Sequence, residues 1–544
     1  MNSTKIEETV KALSLRQKIG QMFLFNFVGK YEVPDHIKQL NRDGLLGGII
    51  YFSGSNVEDL EQLRKLGARI QDLKHESPHG IPPFITLDQE GGQLSALHRG
   101  VSVFPGNMAL GDADDLRLSE EYAEYTGRLL KYGNISINFA PVLDVAYEAR
   151  NGVHIVDNRM ISSETNVVGR HGKGIIRGMQ AGGVLACAKH FPGMRISEKD
   201  THHQMDIIEY SRDEMESIYF PPFREAVEAG VGAIMTHHGV YPAFDDKPAT
   251  LSPVLLGYLR HELGFDGLII TDDLIMKAVQ DQYPGPVACE MAINAGVDQI
   301  IITGADEHLI DSLVEAVEAG RIQEATIDAS LRRILTAKEN IFSKQGIGGD
   351  PSAASAVQGG GEVPPAKDHG DALSLEISRK AVHVVSGREL LPGITSLEPM
   401  DKLGVILGNP ARLVMSDTVN FYDISLKAII EGAGIHPYVK EAVMPWNPTD
   451  EEMLSNFDIG FISDLLIFTT VNAYRFTRQL EILKQIHGLR RDGRTKPYII
   501  SVATRSPDDA ALLEPYSDVV LTTGGITPNQ MTALVETIFG RRIR

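Results

Sequence analysis

Two stretches of this 544-residue sequence gather side chains able to move protons or attack electrophiles. In "KHFPGMRISEKDTHHQ", residues 189–204, Lys189 and His190 end an apolar run, and Asp200, His202 and His203 follow a few positions later. In "GFDGLIITDDLIM", residues 264–276, Asp272 and Asp273 close another apolar run. Asp200 and His202 lie two apart, a spacing that in a loop lets a carboxylate orient an imidazole and raise its basicity. Histidine, with an unperturbed pKa of about 6.5, gives and recovers a proton near neutrality without the burial a carboxylic acid would need. The Asp pair admits three readings: one acid caps the helix that follows, the two hold a divalent cation, or one is an ionised nucleophile able to attack a sugar's anomeric carbon. No histidine or acid at ligand spacing accompanies the pair, which weighs against a cation. The acid and histidines of 200–203 could equally be solvated loop side chains.

Elements able to position these groups recur along the first 340 residues or so. Short apolar runs rich in β-branched residues occupy 22–27, 47–52, 83–88, 136–144, 183–191, 230–238, 267–273 and 298–303, each followed by a polar or glycine-containing loop and a helical pattern. Runs that are apolar on both faces suit a parallel sheet covered by helices, and eight such units predict a (β/α)8 barrel with insertions. An open doubly wound sheet competes, but no GxGxxG phosphate loop follows the first run. Asp88, Asp144, Lys189, His190, His237, His238, Asp272 and Asp273 all fall at the C-terminal ends of runs, which a barrel gathers around one mouth. A helix with a capping box starts at Ser14 and Gln17. Residues 343–371, rich in Gly, Pro, Ala and Ser, read as a linker between a barrel over 1–342 and a second α/β sandwich over 372–544. Five apolar runs in the second domain predict a parallel or mixed sheet with helices on both faces.

A net charge of −20 with no clustered basic tract argues against nucleic acid or an anionic membrane as partner. A small or uncharged partner fits better, and a homodimer is compatible. Cys187 and Cys289, in no metal-ligand spacing, read as buried thiols in a reducing compartment. No signal-peptide core or membrane-length apolar segment stands out, so the expected location is the cytoplasm, and no cofactor or metal is expected.

Together "KHFPG" followed after six residues by Asp-x-His, "ITDDLIM", "LDQEGG", "FAPVLD", "NR" and "PATLSP" resemble glycoside hydrolase family 3, in its β-N-acetylhexosaminidase branch with an Asp-His dyad. The likeness runs from about residue 13 to 340, and the second domain is similar to that family's α/β sandwich. The resemblance implies a retaining mechanism in which Asp272 forms a glycosyl-enzyme bond and His202, oriented by Asp200, is the acid/base. It further implies that Asp88, Arg159, Lys189 and His190 bind sugar hydroxyls and that His238 and Met276 line the pocket. His203 is a neighbour that one residue of loop rearrangement could substitute for His202.

The chain departs from the family pattern in two loops. "KHFPGHGDT" becomes "KHFPGMRIS", altering Met194–Ser197, and "DQEGGRV" becomes "DQEGGQLSA", altering Gln93–Ala96, while "NRSFG" reads "NRMIS". The expected activity is hydrolysis of a small or wall-derived amino-sugar glycoside. A phosphorylase using phosphate as acceptor, and a weakly active or inactive carbohydrate-binding homologue, are the alternatives; a neutral histidine acid/base would spare an incoming phosphate like-charge repulsion.

Overall fold

The computed structural model describes residues 3–146, 157–194, 206–344, 363–409, 424–492 and 497–543. All eight expected runs form strands of one parallel sheet: β1 (Phe23–Phe25), β2 (Gly48–Ile50), β3 (Phe84–Leu87), β4 (Ile137–Asn138), β5 (Leu185–Phe191), β6 (Ala233–Thr236), β7 (Leu268–Thr271) and β8 (Ile300–Ile302). Their order is β8-β1-β2-β3-β4-β5-β6-β7. A parallel bridge between Ile270 and Gln299 brings β7 back to the start of β8 and closes the barrel. The strands are buried almost throughout, since side chains fill the barrel on one face and helices cover the other. Ser14 and Gln17 form the expected reciprocal cap on the helix Leu15–Gly20.

The second domain holds six strands, one more than the five runs read from sequence: β9 (His383–Ser386), β10 (Leu403–Gly408), β11 (Val439–Met444), β12 (Leu465–Thr470), β13 (Tyr498–Ala503) and β14 (Val519–Thr522). The order is β9-β14-β13-β12-β10-β11, with β9 antiparallel to β14 and every other pair parallel. The strand that went unread, β11, lies at the edge and carries exposed Lys440 and half-buried Glu441 in place of a continuous apolar run. Edge strands take such residues because one side of the ladder faces solvent.

The expected linker is shorter than its composition suggested, because a helix over Lys367–Ala381 begins inside it. That helix ties the two domains together. Ser102 Oγ donates to Lys367 O at 2.9 Å, and Ser374 Oγ donates to Val103 O at 2.6 Å. On its other side Arg379 forms a bidentate pair with Glu536, both contacts 2.6 Å, on the C-terminal helix Pro528–Phe539. Gly370 sits where a β-carbon would lie 2.4 Å from Ser102 Oγ, so the approach to the barrel depends on its lacking one. Both cysteines are buried and unbridged. Among the described residues no helix is long and apolar enough to cross a membrane.

Candidate active site

β3 delivers Asp88 and Glu90 on a turn that the barrel itself holds rigid. Asn138, buried on β4, accepts from the Gln89 N–H at 2.9 Å and donates to Gln89 O at 3.0 Å. The Gln89 side chain pairs with the backbone of Leu97, and the Ala96 N–H donates to Asp88 O, so the altered Gln93–Ala96 loop folds back onto the acid turn. Gly91 and Gly92 have φ of +93° and +56°, and a β-carbon on Gly91 would lie 2.9 Å from Pro105 O. The double glycine is therefore required by the turn.

β5 supplies Lys189 and His190. Lys189 Nζ contacts Asp88 Oδ1 at 2.5 Å and Glu90 Oε1 at 2.7 Å. Arg159, at the end of the short turn Asp157–Arg159, donates from Nε and Nη2 to the two oxygens of Glu90, each at 2.8 Å. Two cations and two carboxylates thus form one buried cluster. Burial opposes the Glu90 charge, but Arg159 and Lys189 outweigh it and hold the carboxyl down at about 2. Burial also opposes the charges of Lys189 and Arg159, and the same carboxylates outweigh it and raise both pKa values.

His190 is anchored by Asp144, which is wholly buried past β4. Asp144 Oδ2 meets His190 Nδ1 at 2.7 Å, while Oδ1 accepts from the N–H groups of His190 at 3.2 Å and Met194 at 2.7 Å. Burial works against this carboxylate as well, and the His190 interaction leads the effects that leave its pKa below the ordinary value. The position vacated by the family's loop histidine therefore still contributes, through the Met194 backbone.

At the end of β7 the two acids make different hydrogen bonds. Asp273 accepts from the N–H of Ile275 at 3.1 Å and of Thr303 at 3.2 Å, and bonds the Thr303 hydroxyl. It closes the turn, and burial raises its pKa. Asp272 accepts its neighbour's N–H on Oδ1 at 2.8 Å and remains part-exposed at the mouth. His238, expected on the pocket wall, engages Thr250 Oγ1 at 2.9 Å through Nδ1 and Asp273 O at 3.1 Å through Nε2, so it buttresses the Asp272–Asp273 turn. Met276 is half-buried in the segment following that turn. Asp200, His202, His203 and the altered Arg195–Ser197 stretch lie outside the described residues.

Asp88, Arg159, Lys189 and His190 therefore stand with Asp272 around the C-terminal ends of one barrel. Sequence reasoning did not single out Glu90, and it placed Asp144 and His237 at the barrel mouth without giving either a role. Glu90 could have been found as an acid two positions past Asp88 and beside the glycine pair. Asp144 and His237 were visible as polar residues at run ends, without any pattern giving them a partner. Among the described residues no group of three or more His, Cys, Asp and Glu is arranged to hold a metal ion.

The Glycosyl hydrolase family 3 N-terminal domain model matches residues 14–337. A β-hexosaminidase A from Pseudoalteromonas piscicida is 30% identical over 336 residues, 57% of this chain and 56% of that protein. A β-hexosaminidase from Hydrogenovibrio crunogenus is 32% identical over 285 residues, 50% of this chain and 77% of that protein. A solved family 3 β-N-acetylglucosaminidase from Paenibacillus sp. str. FPU-7 superposes with a TM-score of 0.86 at 31% identity, covering 98% of this chain and 97% of its own.

Proposed function

Because this chain belongs to glycosyl hydrolase family 3, we propose that it is a retaining β-N-acetylglucosaminidase acting on a small or wall-derived amino-sugar glycoside. The observation that carries this reading is the convergence of the Asp88–Lys189–Glu90–Arg159 cluster, the Asp144–His190 pair and Asp272 on one barrel mouth. Paired donors and acceptors of fixed direction suit the neighbouring hydroxyls of a sugar. The likeness to the Paenibacillus β-N-acetylglucosaminidase over nearly the whole length supports the choice of sugar.

In this mechanism an oxygen of Asp272 attacks the anomeric carbon as the bond to the leaving oxygen breaks. The Asp273 N–H holds Oδ1 and fixes the carboxylate's orientation. His202, oriented by Asp200, protonates the leaving oxygen. In the second step His202 takes a proton from water as that water attacks the same carbon, and the bond to Asp272 breaks with net retention. Asp88, Arg159, Lys189 and His190 hold the ring, His238 fixes the turn that aims Asp272, and Met276 lines the pocket.

Incubation with a fluorinated N-acetylglucosaminyl fluoride, followed by digestion and mass spectrometry, tests the assignment. The expected product is a covalent sugar on the peptide containing Asp272. An adduct on another carboxylate, or turnover that continues with Asp272 unlabelled, refutes it.

A further inference from the structure

His237, the first residue past β6, is buried to 2% exposure and has no part in the roles given above. Its backbone N–H donates to Phe191 O at 2.8 Å, pinning it beside the end of β5. The Gly239 N–H donates to the ring's Nδ1 at 3.1 Å, so the ring proton belongs on Nε2. Nδ1 also lies 3.1 Å from the Tyr241 hydroxyl, whose own proton goes to Gly193 O at 2.7 Å. The Nδ1–Cε1 edge is closed by backbone, for a β-carbon on Gly239 would lie 2.7 Å from both atoms. Nε2, turned the other way, is buried without a hydrogen-bond partner among the described residues. An unsatisfied buried donor is destabilising, which favours any ligand that brings an acceptor to it.

The barrel order says which acceptor. β6 stands between β5, which carries His190, and β7, which carries Asp272. The His237 ring centroid is 6.5 Å from that of His190, and both Asp144 and Asp272 act on it electrostatically. With Asp272 at the anomeric carbon and Lys189 and His190 on the ring hydroxyls farther along, the substituent between them is the one at C2. Burial holds the imidazole's pKa down to about 3, so the ring is neutral at working pH.

We propose that His237 Nε2–H donates to the carbonyl oxygen of a 2-acetamido group and so sets the preference for N-acetylated over 2-hydroxy sugars. The inference rests on the reading of Asp272 as nucleophile. An amide carbonyl accepts more strongly than a hydroxyl, so the preference follows from one directed bond, and losing it should narrow the selectivity by about 10-fold or more.

Two substitutions separate this role from one exerted through Nδ1. His237→Asn keeps a polar atom at the Nδ1 position, facing Gly239 and Tyr241, and removes the outer donor. His237→Gln places an amide N–H at the reach of Nε2. The measured quantity is kcat/KM for p-nitrophenyl N-acetyl-β-glucosaminide divided by that for p-nitrophenyl β-glucoside. The ratio should fall by about 10-fold or more in His237→Asn, with the glucoside rate little changed, and stay within a few-fold of the parent in His237→Gln. A parental ratio in His237→Asn, a loss confined to His237→Gln, or a parent with no preference overturns the proposal. Calorimetric affinities for N-acetylglucosamine and glucose report the same ratio without turnover. Failure of the Asp272 reading then shows as absent hydrolysis, and failure of the His237 inference as an affinity ratio that His237→Asn leaves unchanged.

Discussion

Replacing Glu90 by glutamine removes one charge while keeping the shape of the side chain, and the structure sets the size of the effect. In the folded protein the Glu90 carboxyl is held at about 2, against an ordinary value of about 4.3. At 1.36 kcal/mol per pKa step of one, that difference corresponds to ~3 kcal/mol of stability. It agrees with the 3–5 kcal/mol or so lost when one member of a buried ion pair is removed. Because the folded value is the lower one, the contribution is complete above about pH 4.3 and disappears as pH falls through about 2. In the variant Lys189 keeps its contact with Asp88, Arg159 keeps the through-space pull of Asp88 and Asp144, and an N–H of the introduced amide must face one of the two cations.

Thermal unfolding followed by circular dichroism at several pH values is the assay. At pH 7 the barrel's transition should drop by roughly 4 °C for ~3 kcal/mol in a domain of this size, and the gap should close as the pH approaches 2. Release of Lys189 should also lower kcat/KM, by ~10²-fold if the ring shifts about 1 Å. A variant that unfolds with the parent across the whole pH range would show that the cluster is held by its surroundings and that its charges carry no net stability.

Asp272→Asn should lower kcat by ~10³-fold or more, while N-acetylglucosamine affinity measured by calorimetry changes little; near-parental turnover would remove the nucleophile. Asp144→Asn gives His190 Nδ1 an amide N–H in place of a carboxylate, inverting what Nε2 offers the sugar; kcat/KM should fall ~10- to 100-fold with an altered pH profile, and an unchanged profile would show that Asp144 only fills space. Lys338, buried below the barrel with Nζ 2.8 Å from both Gln21 Oε1 and Gly47 O, has its pKa lowered by burial to about 7. The unfolded chain therefore binds the extra proton between about pH 7 and 10, so stability should rise by ~2 kcal/mol from pH 7 to 9 in denaturant titrations. Lys338→Met should flatten that rise, and equal slopes in parent and variant would refute the cause.

How far the site could be read from sequence depended on what kind of information each residue carries. The barrel strands were legible because burial on both faces demands uninterrupted apolar runs, whereas β11 was hidden by the polar side chains an edge strand tolerates. Asp88 and Lys189 were legible as polar residues ending such runs. Glu90 was not, since its importance arises from Arg159, 69 positions away in sequence, and no local pattern encodes that contact. Asp272 and Asp273 left the sequence ambiguous because both chemistry and turn closure favour an acid there. The structure separates them by the Ile275 and Thr303 N–H groups that Asp273 accepts. The linker was overextended because Asp368, His369, Gly370 and Asp371 look like loop until Gly370 meets Ser102 and Tyr125.

Buried ion clusters are poor devices for stability, since apolar side chains of equal volume often do as well. What apolar side chains cannot supply is donors and acceptors of fixed direction beneath a sugar. The exposure of the members shows how the cluster divides the work: the Glu90 side chain is 1% exposed and Lys189 3%, while Asp88 reaches 27%. Glu90 is the internal counter-charge that lets two cations be buried, and Asp88 is the member that reaches the surface. The two acids should therefore fail differently. Glu90→Gln loses stability and rate together, whereas Asp88→Asn keeps most of the unfolding temperature and loses kcat/KM through binding. If Asp88→Asn proved the more destabilising and Glu90→Gln the better folded, the direction assigned to the cluster would be reversed, and the sugar would have to approach from the other side.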